Sequence, residues 1–228
     1  MAVRVGFLGA GFIAKVHASL LRSCPEVEWA GVYDVDRSRA EALAEKTGAR
    51  VCADEDTVLS GCDAVFICTW TSEHARLVSL AAARGLAIFC EKPLATDLAG
   101  ATDMAAVVRR AGVVNQVGLV LRFSPAFCWL RTLVADPRSG RVMSVMLRDD
   151  QYLPLQGMYR STWRGDVNRA GAGALLEHSI HDVDIIESLV GPVASVSGRT
   201  ATFHGITGIE DAVQLSFAFA NGAVGSLV

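Results

Sequence analysis

Short apolar runs alternate with amphipathic segments through the first half of the chain. Residues 3–9 form a continuous apolar run, residues 12–22 have helical spacing, and residues 27–33 form the next run. Strands buried on both faces of a parallel sheet produce such runs, and amphipathic helices cover those faces. The alternation continues to about residue 117 and predicts six parallel strands in a doubly wound α/β domain.

The pattern changes after Gly118, where regular helices no longer separate the strand runs. Residues 124–134 and 175–190 have helical spacing, and the Asn221-Gly222 pair predicts a type I′ hairpin. These features predict a second, α+β domain with a mainly antiparallel sheet. The predicted domain boundaries are therefore residues 1–120 and 121–228. The strands predicted for the second domain lie at residues 141–149, 193–199, 211–220 and 223–228.

Composition narrows the class of protein. The 228 residues are 51% hydrophobic and 20% charged, with a formal net charge of −3. This balance supports a sizeable core and argues against a general nucleic-acid binder. No apolar run reaches the ~18 residues of a membrane helix, and no signal peptide precedes the first strand run. We expect a soluble cytoplasmic protein that binds neither nucleic acid nor membranes.

The six cysteines include no C-x-x-C pair, so neither a zinc site nor a redox motif is predicted. Most of them have apolar neighbours in the sequence. We therefore expect small, buried side chains that remain reduced in the cytoplasm.

A glycine-rich turn lies between the first strand run and the first helix. Residues 9–14 read G-A-G-F-I-A, which allows a tight turn and a close backbone approach at the positive end of a helix, as a dinucleotide pyrophosphate requires. Asp34 follows the second run, 20 residues past Ala14, where a carboxylate accepts hydrogen bonds from the ribose hydroxyls. The candidate cofactor contacts at this turn are Gly9, Gly11, Phe12, Ile13 and Asp34.

The charge of Asp34 favours NAD over NADP, because it repels a 2′-phosphate. Arg37 and Arg39 are close enough in sequence to offset that repulsion, so NADP is the alternative cofactor and Arg39 is a candidate contact. The loop after the fourth strand run adds three further cofactor candidates. These are Thr69, Thr71 and His74. The alternative for His74 is that it is an ordinary polar residue at the start of the next helix.

Glu91-Lys92-Pro93 follows the fifth strand run, at the mouth of the predicted cofactor cleft. Only 3 of the 21 basic residues are lysines, so a lysine at this position is informative. A lysine can accept the proton of a substrate alcohol, or lower the pKa of that alcohol as a cation. Glu91 would hold the ammonium group, and both residues are candidate cofactor contacts. The alternative is an ordinary surface lysine.

A second glycine-rich segment precedes the helix predicted at residues 175–190. Residues 171–184 read G-A-G-A-L-L-E-H-S-I-H-D-V-D and follow Trp163-Arg164. Together with the first glycine turn and Glu91-Lys92-Pro93, this segment resembles the Gfo/Idh/MocA oxidoreductase family, which includes glucose–fructose oxidoreductase and inositol dehydrogenase. The resemblance covers nearly the whole chain and implies a Rossmann domain followed by an α+β domain.

The family links Lys, Asp and His at its motif positions to catalysis, and the resemblance implies Lys92, Glu177 and His181 here. His181 would act as the base, while Lys92 would polarise the substrate oxygen. Glu177 stands where the family usually has Asp, and Ser179 replaces the usual Gly, so the substrate geometry of relatives does not transfer directly. Glu177, His181 and Asp184 would share one helix face. The alternative is a structural network of caps and ion pairs.

A metal site in the same segment is a weaker alternative. His178 and His181 would point about 60° apart on a helix, and no other His/Cys cluster completes a site. We therefore predict no metal.

Further residues are candidates for the substrate pocket. Arg122 would bind substrate or bridge the domains, and Trp163 would stack on a sugar or anchor the core. The candidate substrate contacts are Arg122, Trp163, Arg164 and His178, with Tyr152 and Arg160 as further pocket residues.

The resemblance implies an NAD(P)-dependent oxidoreductase that transfers a hydride between the nicotinamide and a secondary alcohol of a sugar, polyol or related metabolite. Two alternatives are an NAD-dependent glycoside hydrolase of the same fold and a non-catalytic dinucleotide-binding regulator. The family's sheet implies homo-oligomer contacts. Residues 226–228 fall inside a predicted strand, so the chain is expected to be a truncated form of a longer enzyme.

Overall fold

The chain divides into two compact units, Met1–Gly118 and Leu119–Val228. The structure, a computed structural model, describes residues 2–152 and 161–228. Arg160, predicted above as a pocket residue, lies outside the described residues. None of the described helices combines the length and apolar character that crossing a membrane requires.

The first unit contains a six-stranded parallel sheet with helices between the strands. The strands are β1 (Val3–Leu8), β2 (Val27–Tyr33), β3 (Arg50–Val51), β4 (Ala64–Ile67), β5 (Ala87–Cys90) and β6 (Asn115–Val117). Their order in the sheet, β3-β2-β1-β4-β5-β6, confirms the predicted doubly wound arrangement. The helices are α1 (Phe12–Leu21), α2 (Arg37–Thr47), α3 (Glu55–Gly61), α4 (His74–Ala83) and α5 (Leu98–Ala111).

Successive side chains along these strands enter two separate cores. Phe7 packs with residues of α1 and α2, such as Leu43, whereas the next residue, Leu8, packs with residues of α3 and α4. Both residues are at most 1% exposed. A strand covered on both faces needs apolar residues at every position, which explains the continuous runs in the sequence.

The second unit is built on a four-stranded sheet. Its elements are α6 (Pro125–Ala135), β7 (Ser144–Leu147), α7 (Val167–Ala170), α8 (Ala174–Glu177), α9 (Ile180–Val190), β8 (Val193–Ala201), β9 (Ala212–Phe219) and β10 (Val224–Leu227). The strand order is β7-β10-β9-β8. Strand β9 runs antiparallel to both neighbours, while β10 and β7 are parallel, so the sheet is mixed. Ile186 and Val190 pack on Phe217, Phe219 and Leu227 of this sheet.

The single helix predicted at residues 175–190 is wrong, because α8 ends before α9 begins. His178 leaves helical geometry at φ −122° and ψ −60°, and the amides of His178 and Ser179 both donate to the Ala174 carbonyl. Ser179 occupies the N-cap position of α9, and Asp182 lies in the first turn of that helix. Ser-x-x-Asp is a pattern typical of a helix start. The sequence analysis did not use it, because the apolar spacing of residues 175–190 continues across it. Glu177 and His181 therefore do not share one continuous helix face.

The type I′ turn predicted at Asn221-Gly222 is also wrong. A type I′ turn needs positive φ at both residues, but among the described residues only glycines have it, with Gly222 at 86°. The Gly222 amide donates to the Phe219 carbonyl at 2.9 Å, which closes a three-residue loop instead. The Asn221 side chain donates to Val190 at 2.7 Å and accepts from the Ala223 amide at 3.0 Å.

The cysteine prediction holds at four positions. Cys52, Cys62, Cys68 and Cys90 are buried, but Cys24 is exposed because it lies in the loop after α1. Burial raises the pKa of Cys62 to about 11 and the pKa values of Cys68 and Cys90 above their usual range. Since the thiolate is the nucleophile, these buried thiols are chemically inert.

Candidate cofactor and catalytic site

Five strands of the first sheet end side by side at one edge. The register pairs Leu8 with Tyr33 and Ile67, and Cys90 with Ile67 and Val117. Backbone hydrogen bonds continue this register by one residue, since the residue after each of four strands, β1, β4, β5 and β6, donates its amide to the neighbouring strand. Predicted site residues from distant segments therefore come together in one row. The row consists of Asp34, Gly9, Cys68, Glu91 and Gly118.

The glycine turn at this edge has the shape that a pyrophosphate site requires. Gly9 has φ +88°, and a Cβ atom there would lie 2.5 Å from the Cys68 carbonyl oxygen. At Gly11 a Cβ atom would meet no heavy atom within 4 Å. No side chain caps α1, and its first turn, which contains Phe12 and Ile13, has no acidic residue. The start of α1 is thus accessible to an anion, which the helix dipole attracts.

Asp34 lies against this turn. Its Oδ2 accepts the Ala10 amide at 2.6 Å, and its Oδ1 accepts the Asp36 amide at 2.8 Å. A carboxylate has about four lone-pair sites, so it retains acceptor capacity for ribose hydroxyls. Arg37 pairs with Glu41 at 2.8 Å, and Arg39 pairs with Asp36 at 3.2 Å. Both arginines are therefore engaged by carboxylates of their own segment.

The loop after β4 is held by a buried imidazole. His74 is 1% exposed, with Nδ1 at 2.8 Å from the Pro93 carbonyl and Nε2 at 3.3 Å from the Thr69 carbonyl. Thr71 is equally buried, and the Thr69 hydroxyl donates to the Trp70 carbonyl at 3.3 Å. Thr69 belongs to this loop and Pro93 to the loop after β5, so the imidazole of His74 connects the two loops.

Glu91, at the end of β5, is buried and bonded to a residue that the sequence analysis missed. Its Oε1 lies 2.6 Å from Nε2 of His17, and its Oε2 accepts the Lys92 backbone amide at 3.2 Å. His17 is itself buried among apolar residues of α1. A single histidine on the core-facing side of a helix was the available signal. Lys92 thus follows a carboxylate that is held inside the protein.

The second unit brings together three of the residues that the sequence predicted. Glu177 is 3% exposed, and its Oε2 lies 3.3 Å from Nε of Arg164. The guanidinium carbon of Arg164 lies 4.8 Å from the centre of the Trp163 ring. The buried carboxylate and the cation therefore form a paired group, with the indole beside it.

A second cluster surrounds His178. Its Nε2 lies 2.7 Å from Oδ2 of Asp149, and the rings of His178 and His181 are 6.4 Å apart. Burial, reinforced by the charge of Asp149, raises the pKa of Asp182 to about 6. Within the described parts of the chain, no group of three metal-binding side chains could hold an ion.

Arg122 is engaged within the second unit. Its guanidinium donates to both carboxylate oxygens of Asp184, at 2.7 and 2.5 Å. Hydrogen bonding to this carboxylate raises the pKa of Arg122. The Asp184 side chain is 11% exposed. This bidentate pair ties the segment before α6 to α9.

Glu210 was also missed by the sequence analysis. Its carboxylate accepts the amides of Gly173 and Leu175 at 2.8 and 2.9 Å, and its backbone carbonyl accepts the Ala174 amide. A Cβ atom at Gly173 would overlap the Glu210 backbone. Gly173 is therefore required by the close approach of two backbone segments.

Comparison with known proteins agrees with this geometry. Residues 3–119 match the oxidoreductase family with an NAD-binding Rossmann fold, and residues 127–228 match the GFO/IDH/MocA C-terminal domain. The chain belongs to the Gfo/Idh/MocA oxidoreductase family. The resemblance of the sequence motifs to this family is thereby confirmed.

Individual relatives match nearly the whole chain. It is 34% identical to an inositol 2-dehydrogenase from Rhizobium meliloti, over 97% of the chain and 67% of that protein. It is 32% identical to a 1,5-anhydro-D-fructose reductase from Ensifer adhaerens, over 97% and 67%. The WlbA dehydrogenase from Bordetella pertussis, solved with NADH and UDP-GlcNAcA, superimposes with a TM-score of 0.91 and 26% identity, over all of this chain and 70% of that one. The chain spans about two thirds of the length of these relatives.

Proposed function

We propose that this family member oxidises a secondary alcohol of a sugar or cyclic polyol and transfers the hydride to NAD. The observation that carries the proposal is the row of strand ends, where Gly9, Gly11 and Asp34 surround an uncapped helix start. When bound, the nicotinamide supplies the hydride acceptor, while the protein supplies binding, orientation and acid–base groups. The names of the relatives, an inositol dehydrogenase among them, support a polyol-like substrate.

NAD is the proposed cofactor in preference to NADP. The carboxylate of Asp34 repels a 2′-phosphate. Arg37 and Arg39, which would neutralise that phosphate, are paired with Glu41 and Asp36. Calorimetry with both dinucleotides tests the preference, with the D34A variant alongside. Equal or tighter binding of NADP to the unsubstituted chain would contradict it.

Lys92 is the proposed cation for the alcohol oxygen. A positive charge near the hydroxyl lowers its pKa and stabilises the alkoxide from which a hydride departs. Glu91 holds the backbone amide of Lys92, so the start of this side chain has a defined position. Because the following peptide is anchored through Pro93 and His74, the loop is held on both sides of the lysine.

His181 is the proposed general base, which accepts the hydroxyl proton. An imidazole titrates close to neutral pH and can both take and return a proton in a reversible reaction. Glu177 is buried beside Arg164, and we propose that this pair, with Trp163 and His178, binds the substrate oxygens. Arg122 instead supports the fold through Asp184.

An activity screen tests the reaction. The chain is incubated with NAD and a panel of cyclic polyols and sugars that includes myo-inositol, and NADH absorbance is followed. With a substrate that reacts, the K92A and H181A variants should leave NAD binding nearly intact but lose roughly 10²–10⁴-fold in turnover. Near-normal turnover in either variant would remove that residue from the mechanism. Glycoside cleavage without net NADH formation would overturn the oxidoreductase proposal.

We further propose that the protein is a cytoplasmic homo-oligomer. The free cysteines are consistent with a reducing compartment. Met146 and Val224 lie on the face of the second sheet opposite to Phe217 and Leu227, and each is more than half exposed, which is typical of a face that contacts another subunit. Light scattering after size-exclusion chromatography measures the oligomeric state, and a monomer at micromolar concentration would contradict the proposal.

A further inference from the structure

A buried hydrogen bond between His17 and Glu91 connects α1 to the loop that contains Lys92. His17 is 8% exposed and Glu91 is 6% exposed, and Nε2 of His17 lies 2.6 Å from Oε1 of Glu91. An ionised carboxylate only accepts hydrogen bonds, so the imidazole Nε2 carries the proton. A short hydrogen bond to a charged group in a buried site is among the stronger interactions in proteins.

The imidazole is held by aromatic rings of the sheet. The ring of His17 makes an edge contact with Phe89, with centroids 4.8 Å apart, and a tilted contact with Phe66 at 5.7 Å. Phe66 and Phe89 stack on each other at 4.7 Å. These contacts fix the plane of the imidazole, so Nε2 can point in only one direction.

The rest of the Glu91 carboxylate is enclosed as well. Its Oε2 accepts the backbone amide of Lys92 at 3.2 Å. A Cβ atom at Gly118, on the neighbouring strand end, would lie 2.9 Å from both carboxylate oxygens. The carboxylate thus has one place available, set by His17 on one side, Lys92 on another and Gly118 on a third.

We propose that His17 is a positioning residue that acts on Lys92 through Glu91. The imidazole holds the carboxylate, which in turn holds the backbone of Lys92 and places a negative charge on the residue next to its ammonium group. This inference rests on the proposed role of Lys92 in hydride transfer. The effect of His17 on Lys92 does not depend on that role, and it can be measured without an assay of hydride transfer.

Lysine NMR provides that separate measurement. The chain contains only three lysines, Lys15, Lys46 and Lys92, so reductive methylation with ¹³C gives few signals. The K92R variant assigns the Lys92 signal, and Lys46 on α2 is the internal reference. In the E91Q variant the measured pKa of Lys92 should fall by about one pH unit, because an adjacent negative charge is lost.

Variants of His17 separate its hydrogen bond from its volume. H17L releases the carboxylate from its place at the Lys92 backbone, so the pKa of Lys92 should fall in the same direction as in E91Q. It should also reduce kcat about tenfold or more, with the Kd of NAD changed less than about twofold. H17Q, whose amide can donate from nearly the same place, should recover most of both losses. G118A should reproduce the effect of H17L, because the added methyl group displaces the carboxylate.

The control is F7L, at a ring that stacks on Trp29 and Phe66, whereas the ring contacts of His17 are with Phe66 and Phe89. It should destabilise the fold comparably and leave the titration of Lys92 unchanged. If H17L leaves both that titration and kcat at the unsubstituted values, or if F7L causes the same losses, the inference is wrong. If no substrate is found, the proposed function fails, but the NMR titrations of H17L and G118A still decide the inference.

Discussion

Two glycine-rich turns open helices in this chain, and the amides at the two helix starts have different partners. At the first turn, Gly11 precedes α1 without a capping side chain, and the nearby carboxylate of Asp34 accepts the Ala10 amide, before the helix. At the second turn, the carboxylate of Glu210 accepts the amides of Gly173 and Leu175, at the start of α8 itself. The first start can receive an external anion, whereas the second already has an internal one.

The difference shows what a glycine-rich turn does and does not indicate. Both segments have glycines for the same physical reason, since a Cβ atom at Gly9 or Gly173 would strike backbone atoms. Anion binding depends on a separate property, namely whether the chain's own carboxylate occupies the helix-start amides. For this reason we propose that the first turn binds the pyrophosphate, whereas the second turn connects two segments of the chain.

The largest expected effect is that of G173A. The added methyl group meets the backbone of Glu210, which cannot rotate away as a side chain can. We expect the second unit to lose about 3 kcal/mol or more of stability. Hydrogen–deuterium exchange should then be faster throughout β9 and α9, while β1 and β4 of the first unit exchange at the unsubstituted rate. Unchanged protection in β9 would contradict the close approach of these segments.

G11D converts the first turn into the arrangement of the second. An aspartate at the N-cap accepts the helix-start amides and repels a pyrophosphate. We expect NAD affinity to fall about 100-fold, which is about 2.7 kcal/mol, while the unfolding midpoint stays the same or rises. Isothermal calorimetry and thermal unfolding provide the two measurements.

The matched control for that substitution is G11A. Its methyl group meets no protein atom, so stability should change by less than about 1 kcal/mol. It adds no charge, so the loss of NAD affinity should be smaller than for G11D. If G11D binds NAD as tightly as the unsubstituted chain, the pyrophosphate does not lie at the start of α1.

The first unit could be predicted from its sequence because local patterns determine most of it. Continuous apolar runs identified the buried strands, and Gly9, Asp34 and Glu91-Lys92 each followed a strand end. Parallel strands in one sheet end at the same edge, so local positions were enough to predict which residues meet.

The residues that were missed depend on contacts between distant segments. Glu210 is 37 residues from Gly173, and His17 is 74 residues from Glu91. No periodicity connects such pairs, because the register of the fold brings them together. The break between α8 and α9 was missed for another reason, since the apolar spacing of residues 176–190 continues across it. Ser179, with Asp182 three residues later, was the local signal of the break.

E210Q tests the internal carboxylate of the second turn. An amide can accept one of the two backbone N–H groups but places its own N–H₂ against the other. We expect a loss of about 2 kcal/mol, the usual range for a hydrogen bond to a charged group with a donor left unmatched. Urea unfolding measures this loss, and NAD affinity should be unaffected. A stability equal to that of the unsubstituted chain would show that Glu210 does not hold the turn.

The smallest expected effect concerns Asp182, a carboxylate whose surroundings differ from those of Asp34. Asp34 accepts two backbone amides, whereas Oδ2 of the buried Asp182 has no hydrogen-bond partner among the described residues. Burial, with the charge of Asp149, raises the pKa of Asp182 from 3.8 to about 6 in the folded chain. The folded state therefore holds a proton that the unfolded state releases between these two pH values.

The sign of the pH dependence follows from that proton. The contribution of Asp182 to stability is fully present below about pH 4 and is lost as the pH rises through about 6. D182N removes this dependence, so its stability relative to the unsubstituted chain should improve by about 1 kcal/mol between pH 4 and pH 7.5. This change in free energy is smaller than the full pKa shift implies, because water and nearby charges reduce the cost of burying the carboxylate. Urea unfolding at the two pH values measures the difference. D150N, at a surface pair in the same unit, should show almost none of this change. If D182N and D150N respond alike, the pKa of Asp182 is the same in the folded and the unfolded chain.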